Sequence, residues 1–279
     1  YGLHRGLMLG LGAVISPKAQ SSAKHGCLQT QGSTGSYLSI PITNSLFRGN
    51  HTISFWIKLP QSTFSSVHMG FRNANKALRS DYFVYLTQEH IRYTHTATGT
   101  SYSETESDLY KSDGRSTKWY HIVLQQATLG SANPQFIIFV NGNLKTIGSY
   151  SYAMTQPNRL GFSPASSFIF GGLNITSDAT ISPRANTVNS IRVANFSAWN
   201  ATLSSQAVSV LYNNGRGVKL HKDKANYTNS ANLILNYNFN SPSQDGTYRS
   251  TGSSKEVATA VGCKHVADHP FVTKSERLQ

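Results

Sequence analysis

The chain has 279 residues, 38% hydrophobic and only 13% charged, so Ser, Thr, Asn, Gln and Gly must cover most of its surface, as in extracellular or particle-bound β proteins rather than cytosolic helical ones. Lys and Arg number 25 against 12 Asp and Glu, a net charge of +13, which favours acidic partners such as nucleic acid, anionic glycans, acidic neighbouring subunits or a membrane surface. No stretch approaches 18 apolar residues, which excludes a helical membrane span. No zinc-finger, helix-turn-helix or RNA-recognition pattern accompanies the charge, and sequence-specific nucleic-acid binding is not expected.

In chain order, residues 1–25 fit no strand. The Gly-interrupted apolar run Leu7 to Ile15 and the following Ser16-Pro17 stretch read as an N-terminal arm that needs a surface outside the core, or another chain, to be ordered. The opening Tyr1 suggests a processed product or a fragment. Strands begin at Gly26 and continue over Tyr37–Pro41 and Thr52–Lys58. A break follows Pro60, and Val67–Phe71, Tyr82–Leu86 and Ile91–His95 read as three more, with a basic loop from Arg72 to Arg79. Residues 96–118 are polar and are expected to be a long connection. Trp119–Leu124 and Phe136–Val140 are strands, and Asn141-Gly142 is a two-residue hairpin signal returning through Leu144–Ile147. Phe168–Gly172 is a further strand, and residues 173–188 a polar loop.

The segment Asn189 to Gly217 has the most specific grammar. Ile191, Val193 and Phe196 are the apolar positions of a strand with an irregularity at Ala194-Asn195. After a turn at Trp199-Asn200, Ala207, Val210 and Leu211 fall at the spacing of one buried helical face. Ser204 is the expected N-cap and Asn213-Asn214-Gly215 the left-handed stop. Leu233–Phe239 is a late strand, residues 241–256 a Ser/Gly-rich loop, Ala258–Val266 a last strand, and residues 267–279 a second extended tail.

These segments resemble, in order and over about residues 26 to 240, the laminin-G-like, concanavalin A-like domains. Their early strands read like Tyr37-Leu38-Ser39-Ile40-Pro41 and Thr52-Ile53-Ser54-Phe55-Trp56-Ile57-Lys58. Their central ones read like Trp119-Tyr120-His121-Ile122-Val123-Leu124 and Ile137-Ile138-Phe139-Val140-Asn141-Gly142. Phe168-Ile169-Phe170-Gly171-Gly172 and the strand-turn-helix segment complete the set. The run from Tyr212 to Phe239 is most similar to laminin-G-like proteins of marine phages and large algal viruses. The resemblance implies an all-β antiparallel sandwich, a jelly roll of the concanavalin A-like kind, with one short helix. It would span residues 26–266 between the N-terminal arm and a C-terminal tail. Fold alone does not define activity.

Three functions are compatible with this fold. The first is a non-enzymatic structural protein of a virus particle, capsid-associated or surface-exposed, held to other subunits through residues 1–25 and the C-terminal tail, with glycan binding compatible. The second is a secreted or cell-surface carbohydrate-binding, lectin-like module. The third is a glycoside hydrolase of the same fold, which depends on Glu104, Glu106 and Asp108. Their E-x-E-x-D order departs from the family's E-x-D-x-E, so catalysis is not expected.

No cofactor is expected and no metal site is assigned: the dispersed ten histidines argue against zinc, and of the loop positions suited to calcium Asp81, Asp178 and Asp245 each stand without a second carboxylate. His121 reads as a hydrogen-bonded core residue. Sequons occur at Asn50, Asn174, Asn195, Asn200 and Asn226, about the number chance gives. The one tight group of positive charges, Arg216, Lys219, Lys222 and Lys224 with His221 among them, is either a solvated loop or a basic contact loop. Finally, the resemblance sets the first and last strands side by side. It thereby implies a disulfide or a close thiol pair between Cys27 and Cys263, worth about 5 kcal/mol in the loop-entropy picture if bonded.

Overall fold

A computed structural model of the chain describes residues 26–31, 36–42, 50–58, 67–72, 82–86, 90–95, 100–105, 119–128, 134–149, 166–171, 191–213, 217–241, 243–268 and 270. The expected N-terminal arm and most of the C-terminal tail lie outside these residues. The strands are β1 (Cys27–Gln29), β2 (Tyr37–Ile42), β3 (His51–Lys58), β4 (Val67–Arg72), β5 (Tyr82–Leu86), β6 (His90–His95), β7 (Thr100–Thr105) and β8 (Tyr120–Thr128). They continue as β9 (Pro134–Val140), β10 (Asn143–Ser149), β11 (Ser166–Phe170), β12 (Arg192–Trp199), β13 (Leu233–Tyr237), β14 (Thr247–Arg249), β15 (Val257–Val261) and β16 (Lys264–Val266). The helix α1 (Ser205–Tyr212) follows β12.

The strands form two antiparallel sheets. The first runs β10-β9-β8-β3-β12-β1-β16, with β13 also paired to β12; the second runs β14-β15-β2-β11-β4-β5-β6-β7. Alternation explains why they stack. On β2 every second residue, Leu38, Ile40 and Ile42, is buried, and on β3 Ile53, Phe55 and Ile57 take the same inward face. Between the sheets these meet Phe168 and Phe170 of β11, Phe196 of β12, and Tyr237 and Phe239. Phe55 lies edge-on to Phe170 at 5.1 Å between centroids, and Phe168 to Phe170 at 4.9 Å, the geometry aromatic rings prefer.

The irregularity expected at Ala194-Asn195 is a bulge. The β12–β3 register shifts between Ala194 and Ser197, and Asn195 has φ 48°. This break lets β12 pair with β1 through Arg192 and Val193 and with β13 from Phe196 onward, on the same edge. The hairpin at Asn141-Gly142 is also as expected: φ is 50° and 79° at the two positions, as a type I′ turn requires.

Three expectations are corrected. Residues 100–105, taken as connection, form β7, an edge strand registered Ile91 opposite Glu104. The stretch is polar, and an edge strand tolerates polarity that a central one would not. Thr247–Arg249 forms β14 inside the segment read as loop, paired with β15. The single last strand is two. β15 joins β2 in the second sheet through Thr259–Val261, then the chain turns at Gly262 (φ 59°) and Lys264–Val266 joins β1 in the first.

That turn also overturns the disulfide. The first and last strands are neighbours as expected, but both cysteines are free. The register pairs Cys27 with Val266 and Gln29 with Lys264, so Cys263 falls three residues along, about 10 Å of strand rise. An odd offset also reverses the face. Cys27 lies with Trp56 and Ala194 on the outer side of the first sheet, whereas Cys263 packs against the inter-sheet core and donates to Tyr37 O at 3.3 Å. Burial pushes both thiols up, Cys27 to about 12 with the Asp268 charge adding to it, and Cys263 to about 11.

Candidate contact surface

The outer face of the first sheet is roofed by α1 and the loop behind it. Ser204 caps the helix by accepting from Ala207 N at 3.1 Å, and Asn213 ends it at φ 43°, both at the positions expected. Ala207, Val208 and Leu211 bury against Val123 of β8, Phe139 of β9, Trp199 of β12 and Leu233 of β13. Val210, read as part of the buried face, is only partly buried; Val208 takes its place.

The chain then enters the loop around residues 217–229, which is held from inside. Tyr227 is fully buried. Its hydroxyl donates to Leu220 O at 2.8 Å and accepts from Trp199 Nε1 at 3.0 Å. Lys224 and Tyr227 exchange both backbone hydrogen bonds, at 2.9 and 3.0 Å, closing a tight turn in which Ala225 takes φ 51°. Hydrogen bonds from the Ser230 side chain and from Ser230 N, the latter at 3.0 Å, hold the Asp223 carboxyl below the ordinary range. Lys219, Lys222 and Lys224 are all exposed on this scaffold. Arg216, the fourth residue of the expected contact loop, lies outside the described residues.

A polar shelf adjoins the lysines. Asn236 Nδ2 donates to Thr251 Oγ1 at 2.8 Å, and His221 Nε2 lies 3.2 Å from Thr251 Oγ1 and 3.3 Å from Asn236 Nδ2. Asn236 is oriented from below by Ser197 Oγ, which donates to its Oδ1 at 2.9 Å. The backbone of Thr251 donates to Asn236 O at 2.8 Å. The close approach requires Gly252, where a Cβ would stand 2.1 Å from Ile234 O. Asn236 and Thr251 are distant from the lysines in sequence, and nothing in their local pattern announces the shelf; only the pairing of β13 with the loop after β14 assembles it.

Elsewhere on the same outer face, His121 is buried and bonded through Nε2 to Ser54 Oγ at 2.8 Å, while its Nδ1 has no partner. It lies tilted against Trp56 at 4.9 Å and stacks with Tyr212 at 6.2 Å. Burial pushes its pKa down to about 3, so it is a neutral core histidine, as the sequence suggests. Asp268, placed by sequence in the extended C-terminal tail, is instead a clip. It accepts from Lys58 Nζ at 2.9 Å and Trp119 Nε1 at 3.1 Å, and pairs with Arg192. Partial burial raises its pKa, but these three donors outweigh it and hold the carboxyl below the ordinary range.

Most of the remaining candidates lie outside the described residues. Glu104 lies on β7, while Glu106 and Asp108 are outside the described residues, as are Asp81 and Asp178. Asp245 uses Oδ1 to accept from Ser243 Oγ and from Thr247 N and Oγ1, at 2.7, 2.9 and 2.7 Å. Those bonds lower its pKa to about 2 and make it a turn-forming residue. Among the described residues no group of three or more His, Cys, Asp or Glu side chains is placed to share a metal ion. Of the sequons, Asn50, Asn200 and Asn226 are exposed, Asn195 has a buried Oδ1 in the bulge, and Asn174 is outside the described residues.

A model of the laminin G type, described as the concanavalin A-like lectin/glucanases superfamily, matches residues 32–174. No curated protein sequence matches the chain. Among solved structures, the heptameric SAP-like pentraxin from Limulus polyphemus is similar at 12% identity and a TM-score of 0.47, over 70% of this chain and 85% of that one. A botulinum neurotoxin type C structure, whose cell entry is described as dependent on two ganglioside molecules, is similar at 12% identity and 0.46, over 82% of this chain. The binding domain of botulinum neurotoxin serotype D gives 13% identity and 0.43, over 82% of this chain. The chain spans 53% and 58% of those two neurotoxin chains, and 48% of a further matched structure. With a two-sheet antiparallel sandwich and a model covering residues 32–174, the chain belongs to the concanavalin A-like lectin/glucanase superfamily as a laminin-G-like domain.

Proposed function

We propose that the chain is a non-enzymatic structural module of a virus particle, whose sandwich is exposed or bridges subunits and whose basic loop contacts an acidic partner. The observation that carries the contact is the rigid display of Lys219, Lys222 and Lys224. They are exposed on a loop whose base is fixed by the buried Tyr227 hydroxyl, and a chain with a net charge of +13 needs acidic company in any dense assembly. The particle setting is supported by the likeness of the run from Tyr212 to Phe239 to viral laminin-G-like proteins. Gradient sedimentation of source material tests it: the chain should travel with particles and leave them at high salt. Recovery solely as a soluble monomer removes the particle. A glycan-binding surface module is then the second reading, favoured by superfamily membership and tested on a glycan array.

A further inference from the structure

We propose that the lysine loop and the His221–Thr251–Asn236 shelf form one docking site for a carboxylate-rich segment of a partner protein. The inference rests on reading this loop as a contact surface and names what it contacts. Four features of the loop point to that chemistry.

The first is charge. Lys219, Lys222 and Lys224 are exposed, and the carboxylate within their span, Asp223, is turned to Ser230 N. Lysine ammonium groups are point charges that suit scattered carboxylates, whereas bidentate clamps on phosphate are the speciality of arginine. The second is the small ring surface within the loop. Tyr227 is fully buried with its hydroxyl engaged on both sides. Single-stranded nucleic acid binds by stacking on exposed rings, and the one exposed ring here, the His221 imidazole, is already engaged through Nε2 with Thr251 and Asn236.

The third feature is the shelf. Thr251 Oγ1, Asn236 Nδ2 and His221 Nε2 lie within 3.3 Å of one another at the surface. They already hydrogen-bond among themselves, and a carboxylate oxygen can accept from the same donors. The fourth is rigidity. The Lys224–Tyr227 turn and the Tyr227 anchor hold the loop in place before any partner arrives, which reduces the ordering cost of binding.

The test uses the whole chain with three fluorescent probes of matched charge: an oligoglutamate peptide, a sulfated oligosaccharide and a DNA oligomer. Oligoglutamate should bind at low salt and weaken steeply toward physiological ionic strength. Reversing Lys219, Lys222 and Lys224 together to Glu should lower its affinity about tenfold or more with the melting temperature unchanged. Thr251→Val should lower peptide affinity by a smaller factor, at equal salt dependence. Oligoglutamate binding that survives the triple reversal overturns the site, and tighter binding of the oligosaccharide or the DNA overturns the partner class. Co-sedimentation with particles without peptide binding sinks the docking site and leaves the particle reading. Peptide binding without co-sedimentation does the reverse.

Discussion

β3 and β8 are buried on both faces, yet the two faces are built from different materials. Inward, Ile53, Phe55 and Ile57 stand opposite Leu124, Ile122 and Tyr120, and the Phe rings of β11 and β12 close over them. Outward, Thr52, Ser54 and Trp56 stand opposite Gln125, Val123 and His121. There polar groups find specific partners: Thr52 Oγ1 donates to Ala201 O at 2.7 Å, Gln125 Nε2 to Leu203 O at 3.0 Å, and Ser54 meets His121, whose Nδ1 alone is left without one among these groups. The inner face is held by apolar area and shape, which tolerate exchange of one hydrophobe for another. The outer face adds, to its apolar contacts with α1, hydrogen bonds from Thr52 and Gln125 to the backbone just before the helix, so it specifies where α1 must sit. One face makes the sandwich; the other positions α1.

Three measurements sharpen that contrast. The largest effect is expected inside. Phe55→Ala empties the centre of the aromatic cluster and should cost about 3–5 kcal/mol in chemical denaturation, unfolding both faces together. Acid should act next, through the outer face. His121 titrates at about 3 in the fold and near 6.5 when unfolded. Protonation therefore favours the unfolded chain, and stability that is complete above about pH 6.5 falls as pH drops toward 3. By pH 4 the loss from this group is about 3 kcal/mol, and denaturation curves of His121→Gln should show a shallower acid slope over that window. An identical slope would remove the histidine from the account. Smallest is Tyr227→Phe, which leaves Trp199 Nε1 and Leu220 O without their buried partner. It should cost about 1–3 kcal/mol and, unlike Phe55→Ala, speed proteolysis within residues 219–226 before global unfolding.

The inner face was readable in advance because period-two alternation is a property of the chain itself: Leu38, Ile40 and Ile42, or Ile191 and Val193, announce their side of the sheet. Local stereochemistry was equally legible, in Ser204 as a cap, Asn213 as a helix stop and Asn141-Gly142 as a turn. What escaped was set by register between segments far apart. The Cys27–Cys263 pairing failed by three residues of offset across a correctly anticipated strand pair. Asp268 looked like tail because its three donors, Lys58, Trp119 and Arg192, come from separate parts of the chain. The lysine cluster at residues 219–224 could be identified from charge, whereas the shelf of Asn236 and Thr251 depends on Gly252 lying against β13.

The division of the final segment between the two sheets has a consequence for how the protein is made. β15 covers a free edge of β2 and β16 a free edge of β1, so two of the earliest strands wait for two of the latest. A ribosome adding about 5–20 residues per second needs on the order of ten seconds to a minute to travel from residue 27 to residue 266. Throughout that time each nascent sheet presents an unpaired strand, the feature most prone to join a neighbouring chain. Pairing across such a span also places the fold among the slow, non-local ones. The residues that complete the sandwich thus also cover the strand edges that wait longest during synthesis.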